Sequence, residues 1–390
     1  MENHILQPPP VFKPVDLNAS EDVLNKIILR GDVPEEKDEI ISRLVQKALL
    51  SGISITHEVT GKSNRATEGS VADLVMHAHA NISFVIKFDK NKTLLDEAYA
   101  LKMMQNRLKL PKGFYKNFPK IYAIKHDKPP YAYIMQGFNI ASFSDYIFKA
   151  RNPKNLVVKG TQEILKTLVP AYQATIDRNT MPNIKNIYVD RIVQRLEEAR
   201  NHDPNFRKTS TASIVINNKR YERPEFYLEQ INQNLSDYKV DFTTFVHGDC
   251  HPENILYGVD KAGKSIVRFI DVKDWYCSDY MFDIGKITHY LFATGPSQII
   301  AQPPLIKTDF QSLNFNYKLD QKDYFVDEMI QRILKKVEGF AIKNNDITWK
   351  KRYLLSVASN LLGLPVSKSD KVWRPTKNQC SLYSVLRRSY

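Results

Sequence analysis

Hydrophobic and polar positions along this 390-residue chain change their period near residue 140. Upstream, a two-residue alternation recurs. Ser83-Phe84-Val85-Ile86-Lys87-Phe88 places Phe84, Ile86 and Phe88 on one face of a strand and Val85 and Lys87 on the other. Ile53 to Val59 and Val71 to His77 also read as strands, as does the apolar run Tyr131 to Met135, after which Gln136-Gly137-Phe138 reads as a hinge. Between these strands, Thr93 to Met104 has helical spacing with Leu94, Ala98 and Leu101 inward and Glu97 on the same face. Earlier, Pro34 opens a helix striped by Ile40, Ile41, Leu44, Val45, Ala48 and Leu49 and followed by Gly52, while residues 1–30, with Pro8-Pro9-Pro10, read as an extended arm.

Beyond residue 140 the pattern is largely helical. Ile164, Leu165, Leu168 and Tyr172 form a stripe that Pro170 should kink or end. Val189, Ile192, Val193 and Leu196 form a second stripe, and Val326, Met329, Ile330, Ile333, Leu334 and Val337 a third. A fourth helix runs from Tyr353 to Leu362, with Gly363 and Pro365 as its stop. The polar stretch Asn201 to Arg223 interrupts the series as a hairpin or a lid beside substrate.

One break in the helical pattern carries chemistry. His247-Gly248-Asp249-Cys250-His251-Pro252-Glu253-Asn254 is followed by a strand from Ile255, a turn at Asp260-Lys261-Ala262-Gly263 and a returning strand from Ser265 to Ile270, with Asp271 17 residues beyond Asn254. An antiparallel hairpin brings its open ends together, so the oxygens of Asn254 and Asp271 converge on one hard cation, which with nucleotide phosphates suits Mg²⁺. Asp249 then accepts or aligns the proton of an acceptor hydroxyl. Phosphoryl transfer needs an aligned nucleophile and neutralised phosphate charge, and these groups supply both. His247 and His251 stand four apart, but Gly248 and Pro252 oppose a helix, so they do not read as a zinc pair.

The same chemistry requires an upstream cation for the α- and β-phosphates, tied to a carboxylate. Lys87 and Glu97 fill these positions. Ser63 and Asn64, in the polar loop Thr60 to Ser70, are candidate phosphate donors. Gly61-Lys62-Ser63 imitates the end of a Walker A loop, but Thr56 stands where that motif needs glycine. Backbone groups at Met135 and Gln136 are placed to meet the edge of an adenine.

These residues resemble the aminoglycoside phosphotransferase and choline kinase superfamily, whose catalytic loop reads His-Gly-Asp-x-x-x-x-Asn before a hairpin and a metal-binding Asp. The resemblance implies an α+β, bilobal protein-kinase-like fold with a small antiparallel-sheet N-lobe and a larger, mainly helical C-lobe. Residues 31–137 would be the nucleotide-binding N-lobe, and 138–390 would carry catalysis and substrate. It maps the base onto Asp249, the metal ligands onto Asn254 and Asp271, and a loop-bracing carboxylate onto Asp283. One departure is Val272, where members commonly have an aromatic.

Composition narrows the function. The net charge of +13 is dispersed without long Lys/Arg runs or a recognisable nucleic-acid module. Between residues 241 and 290, eight acids face five bases. Asp274-Trp275-Tyr276 and Asp279-Tyr280 could form an acidic, aromatic rim for an amino or quaternary ammonium group, or could pack the loop. The basic tail after Ser367 could meet an acidic partner or simply stay mobile. Three cysteines without metal spacing suit a reducing compartment, and no leader or membrane span is evident, so a soluble cytoplasmic protein is expected.

The expectation is an ATP- and Mg²⁺-dependent kinase acting on a small-molecule alcohol such as an amino sugar, a sugar, an amino alcohol or a related metabolite. No nucleic-acid partner is expected. A Ser/Thr protein kinase is the nearest alternative, disfavoured because only 11 residues separate Asp271 from Asp283 and no Ala-Pro-Glu follows. A catalytically silent kinase-like scaffold is the second, and the presence of Lys87, Asp249 and Asp271 speaks against it.

Overall fold

The computed structural model describes residues 55–57, 76–78, 82–104, 109–129, 131–138, 140–148, 152, 154–260, 262–273, 278–291, 295, 307–309, 312–316 and 326–362. The chain divides into two compact units, Met1–Asn106 with Phe118–Asn139, and Arg107–Asn117 with Ile140–Tyr390. The expected helix after Pro34, the loop bearing Ser63 and Asn64, the rim residues Asp274 to Tyr276 and the basic tail lie outside the described residues.

In the first unit, strands β1 (Ile55–His57), β2 (Met76–Ala78), β3 (Ile82–Asp89), β4 (Ile121–Lys125) and β5 (Tyr131–Gly137) form an antiparallel sheet in the order β1-β2-β3-β5-β4. β3 and β5 pair along seven positions, from Ser83 opposite Gly137 to Asp89 opposite Tyr131. Two short side-chain turns then start helix α1 (Leu94–Met104). Asp89 Oδ1 accepts the N–H of Asn91 (2.7 Å), and Asn91 Oδ1 accepts that of Thr93 (3.1 Å). Asp96 and Glu97 lie in its first turn, where the helix dipole favours negative charge, and Leu95, Ala98 and Leu101 are buried.

After Arg107–Asn117, the second unit continues with α2 (Phe143–Phe148) and α3 (Lys154–Ala174). The stripe Ile164, Leu165, Leu168 and Tyr172 is buried as expected, but Pro170 does not end α3. Proline removes one hydrogen bond from the ladder, and here it lies on the exposed face of the helix, where water can serve the orphaned carbonyl of exposed Lys166. A π turn (Lys185–Asp190) leads into α4 (Arg191–His202), which buries Ile192, Leu196 and Ala199 at positions i, i+4 and i+7. Val193, expected in that stripe, lies about 100° around the helix from Ile192 and is exposed.

The 201–223 stretch contains α5 (Pro204–Ser210) and a hairpin of β6 (Ile214–Ile216) and β7 (Lys219–Tyr221). Its two-residue turn, Asn217-Asn218, has both φ angles positive (49° and 63°), the geometry that matches strand twist. Ile214, Ile216 and Tyr221 pack into a core with Ile192, Leu196, Tyr227 and Leu355, so this segment is a built-in hairpin rather than a lid. Helix α6 (Pro224–Gln233) follows, with proline in its first turn.

Strands β8 (Ile255–Val259) and β9 (Ser265–Phe269) form the expected hairpin, with Ile255 opposite Phe269. Asp260 Oδ1 accepts the N–H groups of Ala262 (2.9 Å) and Lys264 (2.8 Å), and Gly263 takes a φ of 77°. Helix α7 (Met281–His289) comes next, then β10 (Lys307–Asp309) and β11 (Asn314–Asn316), which extend the β6–β7 hairpin into a four-stranded sheet through a parallel β11–β6 pairing. Helices α8 (Val326–Lys343) and α9 (Trp349–Leu361) complete the unit, α9 starting four residues before the expected Tyr353.

A fully buried ion triad ties α9 to the start of α7. The Arg352 Nε donates to Asp279 Oδ2 (2.8 Å), and its Nη1 and Nη2 donate to Asp346 at 2.8 and 2.6 Å. The hydroxyls of Tyr188 (2.7 Å) and Tyr280 (2.6 Å) donate to Asp279 and Asp346 respectively.

Candidate active site

The loop before β8 is built by its own backbone. The N–H of Asn254 donates to the His251 carbonyl (2.8 Å), that of His251 to the Asp249 carbonyl (2.8 Å), and the Asn254 Nδ2 to the same Asp249 carbonyl (3.0 Å). Gly248 takes a φ of 81°, which glycine adopts without the strain a side chain would add. The N–H of Asp249 donates to His247 Nδ1 (3.2 Å), so His247 orders the loop through an unprotonated nitrogen. Burial lowers the pKa of that imidazole to about 4 and keeps the ring neutral, even though Asp249 and Asp271 pull the other way.

The expected convergence of the hairpin's ends is present. The Ile270 N–H donates to the Asn254 carbonyl (3.0 Å), and the Lys273 N–H to the His247 carbonyl (3.0 Å). Asp271 lies between these two anchors in a left-handed conformation, φ 59°, that non-glycine residues rarely adopt. Val272, the departure from the family pattern, is fully buried beneath the loop.

Asp283 braces the loop from the first turn of α7. Its Oδ2 accepts the His247 N–H (2.8 Å) and the Tyr172 hydroxyl (3.1 Å), and its Oδ1 accepts the Gly248 N–H (2.9 Å). Burial raises its pKa to about 6 against the opposing pull of these hydrogen bonds. Helix α7 itself is pressed against α9: a Cβ on Gly285 would lie 2.1 Å from Ser356 Oγ and 2.9 Å from the Ser356 backbone carbon.

The side chain of Asp249 is only 14% exposed, and two lysines and a histidine surround it. Lys286 Nζ lies 2.8 Å from Oδ1, while Lys273 Nζ and His251 Nε2 lie 3.5 and 3.9 Å from Oδ2. Burial alone would raise the pKa of this carboxyl, but Lys286, His251 and Lys273 together hold it well below the ordinary carboxylate range. The His251 ring stacks on Tyr290, with centroids 5.4 Å apart and planes 11° apart. Lys286 was not found from the sequence. The signal was its position three residues after Asp283, which sets both side chains on one helix face.

In the first unit, Lys87 Nζ meets both oxygens of Glu97, at 2.9 and 3.0 Å, and lies 5.8 Å from the Tyr133 ring centroid. Their side chains are 7% and 16% exposed. Met135 lies in β5 as expected, and Gln136 and Gly137, expected as the start of the hinge, also belong to that strand. The Gln136 N–H, one of the backbone groups expected near an adenine edge, already donates to the Lys120 carbonyl (2.8 Å).

Among the described residues, no group of three or more His, Cys, Asp or Glu stands ready to hold a metal ion. Asn254 and Asp271 are both oxygen donors, as a hard cation needs, and the amide of Asn254 is oriented by its own Nδ2 contact to Asp249. No helix among the described residues is long and apolar enough to cross a membrane.

A five-stranded antiparallel sheet with one packed helix, followed by a mainly helical unit carrying a catalytic-type loop and hairpin, is the protein-kinase-like fold. Residues 156–300 match the family model described as the ecdysteroid kinase-like family, EcKL. Among solved structures, the chain is similar to the GDP complex of wild-type aminoglycoside 2'-phosphotransferase-IIIa, at 14% identity and a TM-score of 0.51, over 90% of this chain and 99% of that one. Rad53 in complex with AMP-PNP (10% identity, TM-score 0.30, 89% and 70% covered) and the BubR1 kinase domain (10%, 0.28, 85% and 99%) are more distantly similar. No curated protein matches the sequence.

Proposed function

We propose that this protein is an ATP- and Mg²⁺-dependent phosphotransferase that moves the γ-phosphate to a hydroxyl of a small molecule. The observation that carries the reading is the single loop and hairpin in which Asp249, Asn254 and Asp271 are held together and braced by Asp283. Asp249 takes the proton of the acceptor hydroxyl as that oxygen forms its bond to the γ-phosphorus. The bond to the bridging oxygen breaks, and the nucleoside diphosphate leaves with the electron pair. Asn254 and Asp271 would hold Mg²⁺, which when bound supplies charge neutralisation to the β- and γ-phosphates. Lys87, fixed by Glu97, serves the α- and β-phosphates, with Ser63 and Asn64 as further phosphate donors. Because the Gln136 N–H is used within the sheet, the backbone edge for the base lies beyond Gly137 in this reading.

The acceptor classes are an amino sugar, a sugar, an amino alcohol or a related metabolite, and the family match adds an alcohol of the ecdysteroid kind. The GDP in the aminoglycoside phosphotransferase makes GTP as reasonable a donor to test as ATP. A cytoplasmic location is part of the proposal.

The test is a thermal-shift titration of ATP and GTP with and without Mg²⁺, on the wild type and Asp271→Ala. Stabilisation that needs Mg²⁺ and is weakened in the variant supports the assignment. No response of the wild type at saturating nucleotide favours a silent scaffold.

A further inference from the structure

The contact that neither the motif nor the family match accounts for is Lys286 on Asp249. Lys286 is 16% exposed and sits one helical turn beyond Asp283. One turn of α7 therefore grips the loop twice, by Asp283 through the N–H groups of His247 and Gly248, and by Lys286 through the side chain of Asp249. The depth of that turn is set by the close approach of Gly285 to Ser356. The two oxygens of Asp249 are thereby made unequal. Oδ1 is held at 2.8 Å by a nearly buried ammonium, while Oδ2 meets only the exposed Lys273 at 3.5 Å and His251 at 3.9 Å.

We infer that Lys286 is a positioning residue for phosphoryl transfer: by holding Oδ1 it fixes the rotation of the Asp249 carboxylate and presents Oδ2 to the acceptor hydroxyl. This rests on the phosphotransferase reading given above. A carboxylate on a two-bond stem rotates unless one oxygen is tied, and small misplacement of a reacting group costs rate steeply. A lysine buried at a cost to its own charged state needs an anion, and Asp249 is the one it meets. Removing Lys286 acts only through Asp249, so its effect disappears once Asp249 is disabled.

The experiment compares wild type, Lys286→Met, Lys286→Arg, Asp249→Asn and the Asp249→Asn/Lys286→Met double variant. γ-Phosphate transfer from Mg·ATP and Mg·GTP is measured to an ecdysteroid, an aminoglycoside, a hexose, an amino alcohol and water, and Mg·nucleotide affinity is measured alongside. The expected result is a kcat lower by roughly 100-fold in Lys286→Met, with acceptor KM and nucleotide affinity changed by less than about threefold. Lys286→Arg recovers at least about tenfold of the loss, and the double variant is no slower than Asp249→Asn alone. A Lys286→Met enzyme at the wild-type rate, or a double variant slower than Asp249→Asn by the full Lys286 factor, overturns the assignment and leaves the phosphotransferase reading standing. A wild type that transfers phosphate to none of these acceptors overturns both.

Discussion

Asp283→Asn should separate loop geometry from stability, because two effects of similar size oppose each other there. The carboxylate accepts two backbone N–H groups and one hydroxyl, yet it is wholly buried. Between its ordinary 3.8 and the folded-state value of about 6 lies roughly 3 kcal/mol of cost for keeping the charge at neutral pH. An amide removes that cost. With its oxygen in the place of Oδ2, however, its NH₂ faces the Gly248 N–H, and an unsatisfied buried donor costs about 1–3 kcal/mol. At pH 7.5 the net change should therefore lie within about 2 kcal/mol of zero, while transfer falls roughly 100-fold because the turn before Asp249 has lost an anchor.

The pH dependence carries a definite sign. A carboxyl whose folded-state pKa is raised contributes stability that is complete below pH 3.8 and is lost as pH rises through about 6. In urea unfolding, the stability of wild type minus that of Asp283→Asn should therefore fall by about 2.4 kcal/mol between pH 4 and pH 7. Taking the difference cancels the opposite, acid-side contribution of buried His247. A difference that rises with pH, or a loss above about 4 kcal/mol at pH 7.5, would show instead that the ionised carboxylate is net stabilising.

Arg352→Met should destabilise by about 3–5 kcal/mol, since it leaves Asp279 and Asp346 buried without their cation, and calorimetry should find Tm lower by about 10 °C. Lys87→Met should weaken nucleotide binding by roughly 10- to 100-fold through the loss of one charge-assisted contact, read by isothermal titration; unchanged affinity removes Lys87 from the phosphate site.

What could be read from the sequence was what a few adjacent residues decide. The β8–β9 hairpin and its turn at Gly263 follow from alternation and local turn chemistry, and the Lys87–Glu97 pair spans one strand, one turn and the start of a helix. The bracing role of Asp283 came with the family pattern, and the structure shows the two N–H groups that it binds. The features that were missed depend on distant contacts. Arg352 meets Asp279 across 73 positions, and no local pattern marks that pairing. The parallel β11–β6 contact joins three-residue strands about 100 positions apart, too short for alternation to reveal. Val193 was misplaced because a stripe counted from Val189 crosses a π turn, and Pro170 does not end its helix because it lies on the exposed face. Lys286 was legible only in hindsight, as the residue one turn after Asp283.

The most direct measurement of the central claim is single-turnover transfer of the γ-phosphate by wild type and Asp249→Asn, at nucleotide concentrations that saturate both. The account predicts transfer by the wild type and a loss of about 10²- to 10⁴-fold in the variant, with Mg·nucleotide binding preserved. Transfer by Asp249→Asn at the wild-type rate would contradict it.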